Sequence, residues 1–441
     1  MNRQFHSILN FNYFLNFSPL LNFCSFLVFL VLFFSGSIFP QKAPGSDLID
    51  SLLKANKDLF PEVVSDPGKY RLQILYTKID RDKHNKPHFT SYNYRVDPKE
   101  YFYPASSVKL AGAVLSLQKL NELNVKGLNK FTPLRIDSTF SGQTRVESDK
   151  SSENGLPSIA HYIKKIFLVS DNDAFNRTYE FTGQKYINEE LWKRGFKDLN
   201  LIHRVSVALS RDENRHTNPF TFYNGDKVIF KQNEQYNPVQ YKNQLPGVLI
   251  GKGYYSGDSL VNEPKDFSYN NYISVENLQG ILRSVMFPSG IDKKHRFNLK
   301  EDDYRFLRKY MSMLPRESSY PHYDPKEEWD SYCKFLIFGD KKDTIPQNIR
   351  IFNKIGVAYG FMIDNAYIVD FDKNIEFMLT AVIYVNEDQI FNDDKYEYDK
   401  IGFPFMGNLG RVIYNYELNR TRKFKPDLTE FKFNYTKDSS L

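Results

Sequence analysis

Cysteine is scarce in this chain of 441 residues, which has only Cys24 and Cys333. Cys24 lies in an N-terminal stretch that we expect to be removed, so the mature chain keeps one thiol and its core alone must hold the fold. The eight histidines are scattered without an HExxH motif, and no glycine-rich phosphate loop appears. We therefore expect no metal and no cofactor.

A block of basic charge is also missing. The net charge of +6 is spread along the chain, which disfavours a nucleic-acid partner. Hydrophobic residues make up 41% and charged residues 25%, values typical of a soluble globular protein. The length fits one large domain or two joined ones, and no internal repeat appears.

The first 40 residues differ in composition from the rest. Arg3 is their only full charge, residues 23–34 are almost wholly apolar, and Ser-Gly-Ser follows at 35–37. This order predicts a cleaved signal peptide over residues 1–37, followed by a lead-in over 38–65. The apolar run is short for a membrane span of about 20 residues, so an uncleaved anchor is the lesser alternative. We expect a bacterial periplasmic or secreted monomer without stable membrane association after cleavage.

Strand patterns occur at both ends of the remaining chain and helical patterns between them. Residues 70–76 and 90–96 alternate around a polar turn and predict a hairpin, and three strands are predicted near the C-terminus, at 349–357, 364–371 and 375–386. Helices are predicted at 106–123, 157–168, 172–181, 186–194, 274–286, 302–313 and 405–420. The order predicts an α/β sandwich, with a mainly antiparallel sheet built from both chain ends, flanking helices and an inserted helical subdomain.

These patterns also set expected boundaries. We place a catalytic domain at 66–420 and a C-terminal tail at 421–441. The helical subdomain is expected at about 104–345, with loop insertions at 217–270 and 288–347.

Ser106 and Lys109 form the first candidate motif, SxxK. Residues three apart on a helix share one face, so the lysine amine can lie beside the hydroxyl and take its proton. The spacing alone is weak, because three other Ser/Lys pairs have it and a surface pair would explain each. Ser106 differs from them because it begins a strongly apolar helix, which suits a buried helix that carries its reactive end into a cleft.

Two further motifs follow. Ser170-Asp171-Asn172 could be only a helix cap, since serine and aspartate cap helices well. Lys354-Ile355-Gly356 lies on a predicted strand, where a lysine is usually solvated. A glycine in a strand, however, often marks the close approach of a ligand or another backbone.

Taken in this order, SxxK, SDN and K-x-G resemble the motif set of the class A β-lactamases and the related penicillin-binding proteins. The flanking pattern agrees, because a strand hairpin precedes SxxK and strands and a helix follow K-x-G. Asn176 also matches a family position, one that helps to anchor a loop bearing a glutamate. In Arg211-Asp212-Glu213 the candidate glutamate is Glu213, although the family's following asparagine falls at Thr217 here, one residue before Asn218.

The resemblance implies roles for these residues. Ser106 is the nucleophile, and Lys109 takes its proton either directly or through a water with Glu213. Glu213 is the residue that activates water. Ser170 relays a proton to the leaving nitrogen, while Asn172 and Lys354 hold the substrate. The backbone N–H groups of Ser106 and Val357, next to Gly356, form the oxyanion hole. The expected substrate is a small molecule or a peptidoglycan-derived amide or ester.

Ile355 departs from the family, which has threonine or serine there to bind the substrate carboxylate. Because isoleucine has no hydroxyl, we expect β-lactam turnover about ten- to a hundredfold below that of a typical family member. A serine or threonine from the inserted loops could compensate.

Three functions stay open at this stage. They are a β-lactamase-like hydrolase, a D-alanyl-D-alanine peptidase or penicillin-binding protein, and a catalytically silent cell-wall binding protein of the same fold. A glutamate in position to activate water favours the first over the second.

Overall fold

The computed structural model describes residues 46–139 and 144–435, all within one compact unit of the chain, Ala43–Leu441. The predicted signal peptide lies outside these residues. The α-helices are α1 (Ser46–Ala55), α2 (Pro61–Ser65), α3 (Lys109–Leu123), α4 (Ile159–Leu168), α5 (Asn172–Thr182), α6 (Gln184–Lys193), α7 (Val275–Met286), α8 (Glu301–Ser312) and α9 (Phe403–Asn419). The strands are β1 (Gln73–Arg81), β2 (Pro87–Tyr94), β3 (Leu134–Ile136), β4 (Leu199–Asn200), β5 (Phe220–Asn224), β6 (Lys227–Gln232), β7 (Leu249–Ile250), β8 (Gly253–Ser256), β9 (Ser259–Val261), β10 (Lys265–Asp266), β11 (Tyr272–Ile273), β12 (Ile349–Ala358), β13 (Phe361–Asp370), β14 (Ile375–Tyr384) and β15 (Ile390–Phe391).

The main sheet joins the two ends of the described chain. Its strand order is β12-β13-β14-β1-β2, and every neighbouring pair is antiparallel. In the β1–β14 pair, Gln73 lies opposite Val382. The predicted fold class, a mainly antiparallel sheet from both chain ends with flanking helices, is confirmed.

Both faces of this sheet are covered, which explains the strongly apolar sequences of its central strands. Every residue of β13 and β14 is buried. One core includes residues of α3, α4, α5 and α7, and a second includes residues of α1 and α9. Because successive strand side chains point to opposite faces, Phe352 belongs to the first core and Ile355 to the second.

Several boundaries differ from the prediction. Residues 105–108 form a 3-10 turn, and the α-helix begins at Lys109. Helix α1 lies within residues 38–65, for which the sequence predicted a lead-in and no helix. The C-terminal residues also pack on the fold, with Phe431 fully buried against Phe287 and Phe352.

Within residues 46–139 and 144–435, no helix has both the length and the apolar character needed to cross a membrane.

Candidate active site

Ser106 lies on the 3-10 turn that leads into α3, against the edge strand β12. A β-carbon on Gly356 would come within 2.5 Å of the Pro104 carbonyl oxygen and 3.2 Å of the Ser106 nitrogen. Glycine is therefore required at position 356. The close approach predicted at this strand position is made by the backbone of Pro104 and Ser106. Ala105, just before the serine, has a φ of 47°, a left-handed conformation that is strained for a residue with a side chain and is typical of functional sites.

Lys109 is completely buried at the start of α3. Its Nζ donates to the Ser170 carbonyl oxygen and to Asn172 Oδ1, both at 2.5 Å, and lies 3.4 Å from Ser170 Oγ. Burial holds the pKa of Lys109 well below its usual range, and the nearby Lys354 cation adds to this effect. A lowered pKa makes the neutral, proton-accepting form of a lysine easier to reach than it is for a solvated lysine.

Ser170 joins the two lysines. Lys354 Nζ donates to Ser170 Oγ at 2.7 Å, and its own pKa is lowered to about 8 because it is buried. Ser170 has a φ of 60°, a second left-handed residue at the site. Its hydroxyl is thus within reach of both amines, as proton relay through Ser170 requires.

A cleft of about 730 Å³ runs over these groups. Ser106, Ser170, Asn172, Ile355 and Val357 line it. Three motifs far apart in the sequence therefore meet at one place. The individual catalytic and binding roles assigned to these residues stay predictions.

The loop that Asn176 anchors carries a serine that contacts Asn172 of the SDN motif. Asn176 Nδ2 donates to the Val205 carbonyl oxygen at 3.0 Å, and the Val205 N–H donates back to Asn176 Oδ1 at 2.9 Å. The next residue, Ser206, accepts a hydrogen bond from Asn172 Nδ2 at 2.9 Å. Ser206 is therefore linked to the site through Asn172, and no sequence motif predicts this contact.

Glu213 lies further along the same loop and is engaged locally. Its carboxylate accepts the Ser210 N–H at 2.7 Å, and this contact lowers its pKa. Glu213 is not among the residues that line the cleft, and within the described chain it makes no hydrogen bond to Ser106, Lys109 or Ser170. This geometry does not support the predicted water-activating role.

The opposite side of the cleft comes from the long segment between α8 and β12. We define residues 329–342 as the cleft wall; its members at the cleft include Trp329, Tyr332, Cys333, Lys341 and Lys342. Sequence reasoning marked 288–347 as inserted length but named no residue in it as part of the site. Ser331 and Lys334, in this segment, are one of the three other Ser/Lys pairs that have the SxxK spacing. Lys334 is buried and donates to the Met311 carbonyl oxygen and to Asn353, so this second SxxK serves packing.

Residues 69–228 match the model of the β-lactamase enzyme family, a stretch shorter than half of the chain. This match and the observed architecture define a β-lactamase-like serine hydrolase fold. The match includes Ser106, Lys109 and the SDN motif and ends before Lys354. No curated protein sequence matches the chain.

Solved β-lactamase structures resemble the chain at low identity. One from Xanthomonas campestris pv. campestris is 15% identical, with 83% of this chain and 98% of that chain covered and a TM-score of 0.46. A class A β-lactamase from Clostridium kluyveri is 14% identical, with 84% and 97% covered and a TM-score of 0.41. A third, from Sphaerobacter thermophilus, is 10% identical, with 83% and 97% covered and a TM-score of 0.45. All three TM-scores are below 0.5.

Proposed function

We propose that this chain is a serine hydrolase of the penicillin-recognising type that forms an acyl-enzyme at Ser106. The observation that carries the proposal is the convergence of two buried lysine amines, Lys109 and Lys354, on Ser170 Oγ in the cleft that Ser106 lines. Its substrate is a small amide or ester, either a β-lactam or a D-alanyl peptide, and the reaction needs no cofactor.

In the acylation step, Ser106 Oγ attacks the substrate carbonyl carbon while Lys109 Nζ takes the hydroxyl proton. The N–H groups of Ser106 and Val357 stabilise the negative oxygen of the tetrahedral intermediate. The carbon–nitrogen bond then breaks. The proton passes from Lys109 through Ser170 Oγ to the leaving nitrogen, and Lys354 holds that hydroxyl in place.

Hydrolysis of the acyl-enzyme needs a base for the attacking water. Ser206, beside Asn172, has no carboxylate, and Glu213 is engaged with Ser210. The cleft lining in the described chain includes two carboxylates, Asp340 and Asp399, and Asp340 is paired with Arg411. We infer that deacylation is slow, which favours the D-alanyl peptidase or penicillin-binding alternative over an efficient β-lactamase.

A catalytically silent binding protein is the third candidate. Burying an amine is costly unless its environment compensates, and this site buries both Lys109 and Lys354. Lys334 shows that a buried lysine can serve packing alone, since its amine is bound by Met311 and Asn353. Lys109 and Lys354 differ from it because both amines reach one hydroxyl, Ser170 Oγ, at the cleft. That convergence supports an active enzyme.

Labelling with a fluorophosphonate tests the nucleophile. Ser106→Ala should abolish the covalent adduct, because Ser106 lies three residues before Lys109 and lines the cleft. Ser107→Ala is the matched control and should still be labelled. Ser107 is buried and its hydroxyl donates to the Pro104 carbonyl oxygen at 2.7 Å, so it is already engaged. Labelling that survives Ser106→Ala would rule out the proposal.

We also propose export, with residues 1–37 removed. N-terminal sequencing of protein from a bacterial envelope fraction should find a start near residue 38. Intact residues 1–37 on membrane-bound protein would favour the anchor instead.

A further inference from the structure

The cleft wall presents a cation against an aromatic face at the cleft. Lys342 Nζ lies 3.9 Å from the centroid of the Trp329 ring. The Trp329 ring in turn meets the Tyr332 ring edge-on, with centroids 5.4 Å apart. An ammonium group over an aromatic face is attracted by the negative charge of that face and keeps N–H groups free for an anion. All three side chains line the cleft that contains Ser106.

Buried polar groups hold the wall to the sheet. The Asp364 carboxylate, on β13, accepts the N–H groups of Phe335 and Leu336 at 3.1 and 3.0 Å. Asn353, on β12, donates to the Cys333 carbonyl oxygen at 2.8 Å. Asp364 and Asn353 are also hydrogen-bonded to each other at 2.7 Å.

A second anchor fixes the part of the wall that carries the tryptophan. Asp330, next to Trp329, accepts Arg316 Nε at 2.7 Å and the Ile345 N–H at 2.8 Å. The Ser331 hydroxyl donates to the Lys341 carbonyl oxygen, which ties the two ends of the wall together. The wall is therefore organised before any ligand arrives, and such preorganisation lowers the entropic cost of binding.

The charge balance at the wall favours an anion. Lys341 and Lys342 are exposed cations. Asp340 is neutralised by a two-point pair with Arg411, at 2.8 Å for each contact. Asp399 is the other carboxylate of the lining in the described residues. The buried Lys109 and Lys354 contact Ser170, which lines the same cleft.

We propose that the cleft wall is a substrate subsite in which Lys342, held against Trp329, binds a carboxylate of the molecule that acylates Ser106. The inference rests on the proposed function and names its substrate class, a carboxylate-bearing acyl donor. It also explains how the chain can have Ile355 where the family has threonine or serine. Ser331 of the inserted segment uses its hydroxyl within the wall, so the wall offers the substrate an ammonium group instead of the missing hydroxyl.

The test compares a chromogenic cephalosporin with its neutral methyl ester. Lys342→Ala should lower the second-order rate of acylation by the carboxylate form about fivefold, the size expected for an exposed charge pair, and should leave the ester rate unchanged. Lys342→Arg should keep most of the wild-type rate. Lys326→Ala, which removes an exposed lysine outside the cleft on the same inserted segment, is the matched control and should change neither rate.

Salt gives an independent readout. Rising ionic strength should slow wild-type acylation by the carboxylate form and have less effect on Lys342→Ala, because screening weakens exposed charge pairs. Equal losses for carboxylate and ester, or a loss in Lys326→Ala as large as in Lys342→Ala, would overturn the subsite. Fluorophosphonate labelling separates the two proposals: if Ser106 is labelled while Lys342 has no selective effect, only the subsite fails.

Discussion

Four side chains, Ser106, Lys109, Ser170 and Lys354, meet at one cleft although they come from three distant parts of the chain. The Asn176 contacts with Val205 hold the loop so that Ser206 lies beside Asn172. Glu213, further along the same loop, is held by Ser210.

The first prediction at this scale concerns Ser206. Ser206→Glu should raise the rate of acyl-enzyme hydrolysis about tenfold or more, because a positioned general base contributes about 10²–10⁴-fold. The decay of a preformed penicillin adduct, followed by mass spectrometry, measures it. Ala208→Glu adds the same charge to an exposed position of the same loop. If the two variants deacylate at the same rate, Ser206 does not lie where the base is needed.

The second concerns Ile355, which lines the cleft but also belongs to the second core. Ile355→Thr should speed acylation by a carboxylate-bearing penicillin about tenfold through the added hydrogen bond. It should also lower the free energy of unfolding by about 1–3 kcal/mol, since a hydroxyl replaces buried apolar surface. Ile355→Val, which shortens the side chain without adding a hydroxyl, is the control. If Ile355→Thr is acylated no faster than Ile355→Val, the missing hydroxyl at position 355 does not limit acylation by the penicillin.

At the scale of strands and helices, most positions follow from hydrophobic periodicity. The main differences between the predicted and the observed elements have local causes. The turn before Lys109 is a 3-10 turn, and β12 packs directly on it at Gly356. The cleft wall could not be predicted in the same way. It contains no α-helix or strand in the described chain, and its place depends on Asp364 and Asn353, which lie on the neighbouring strands β13 and β12.

The prediction at the scale of strands and helices concerns Asp364. Asp364→Asn should lower the free energy of unfolding by about 1–3 kcal/mol, because one amide oxygen cannot replace both carboxylate oxygens that accept hydrogen bonds here. It should also alter the pH profile of acylation. Lys354 acts as a cation, so activity is lost as pH rises through its pKa, about 8. Cys333 and the Asp364 carboxylate both raise that pKa, while burial raises the pKa of Asp364 itself. Removing the Asp364 carboxylate should therefore move the alkaline limb to lower pH.

Other charged or titratable groups near Lys354 are Lys109, Cys333 and Lys334. They are unchanged in Asp364→Asn. Asp370→Asn is the control, since Asp370 is buried on the same strand and bonds Asn348 and Tyr414. Asp370→Asn should lower the free energy of unfolding but leave the alkaline limb of the acylation pH profile where it is in the wild type. If this limb falls at the same pH in Asp364→Asn and Asp370→Asn, Asp364 affects stability alone.

For the molecule as a whole, the pairing of β1 with β14 brings the chain ends together and closes the fold. The sequence predicted this arrangement because strand patterns occur first and last with helices between. The same closure carries Lys354, on β12, to Ser170 and Ser106 on the helical side. The site is therefore a product of the complete fold, and no single segment contains it.

The most direct test of the account is a time course of intact mass spectrometry after one addition of benzylpenicillin. The account predicts a gain of one penicillin mass per chain, located on the peptide that contains Ser106, with slow decay. Ser106→Ala should show no gain. No adduct on wild-type protein together with no turnover of the penicillin, or an adduct on another residue that persists in Ser106→Ala, would contradict acylation at Ser106.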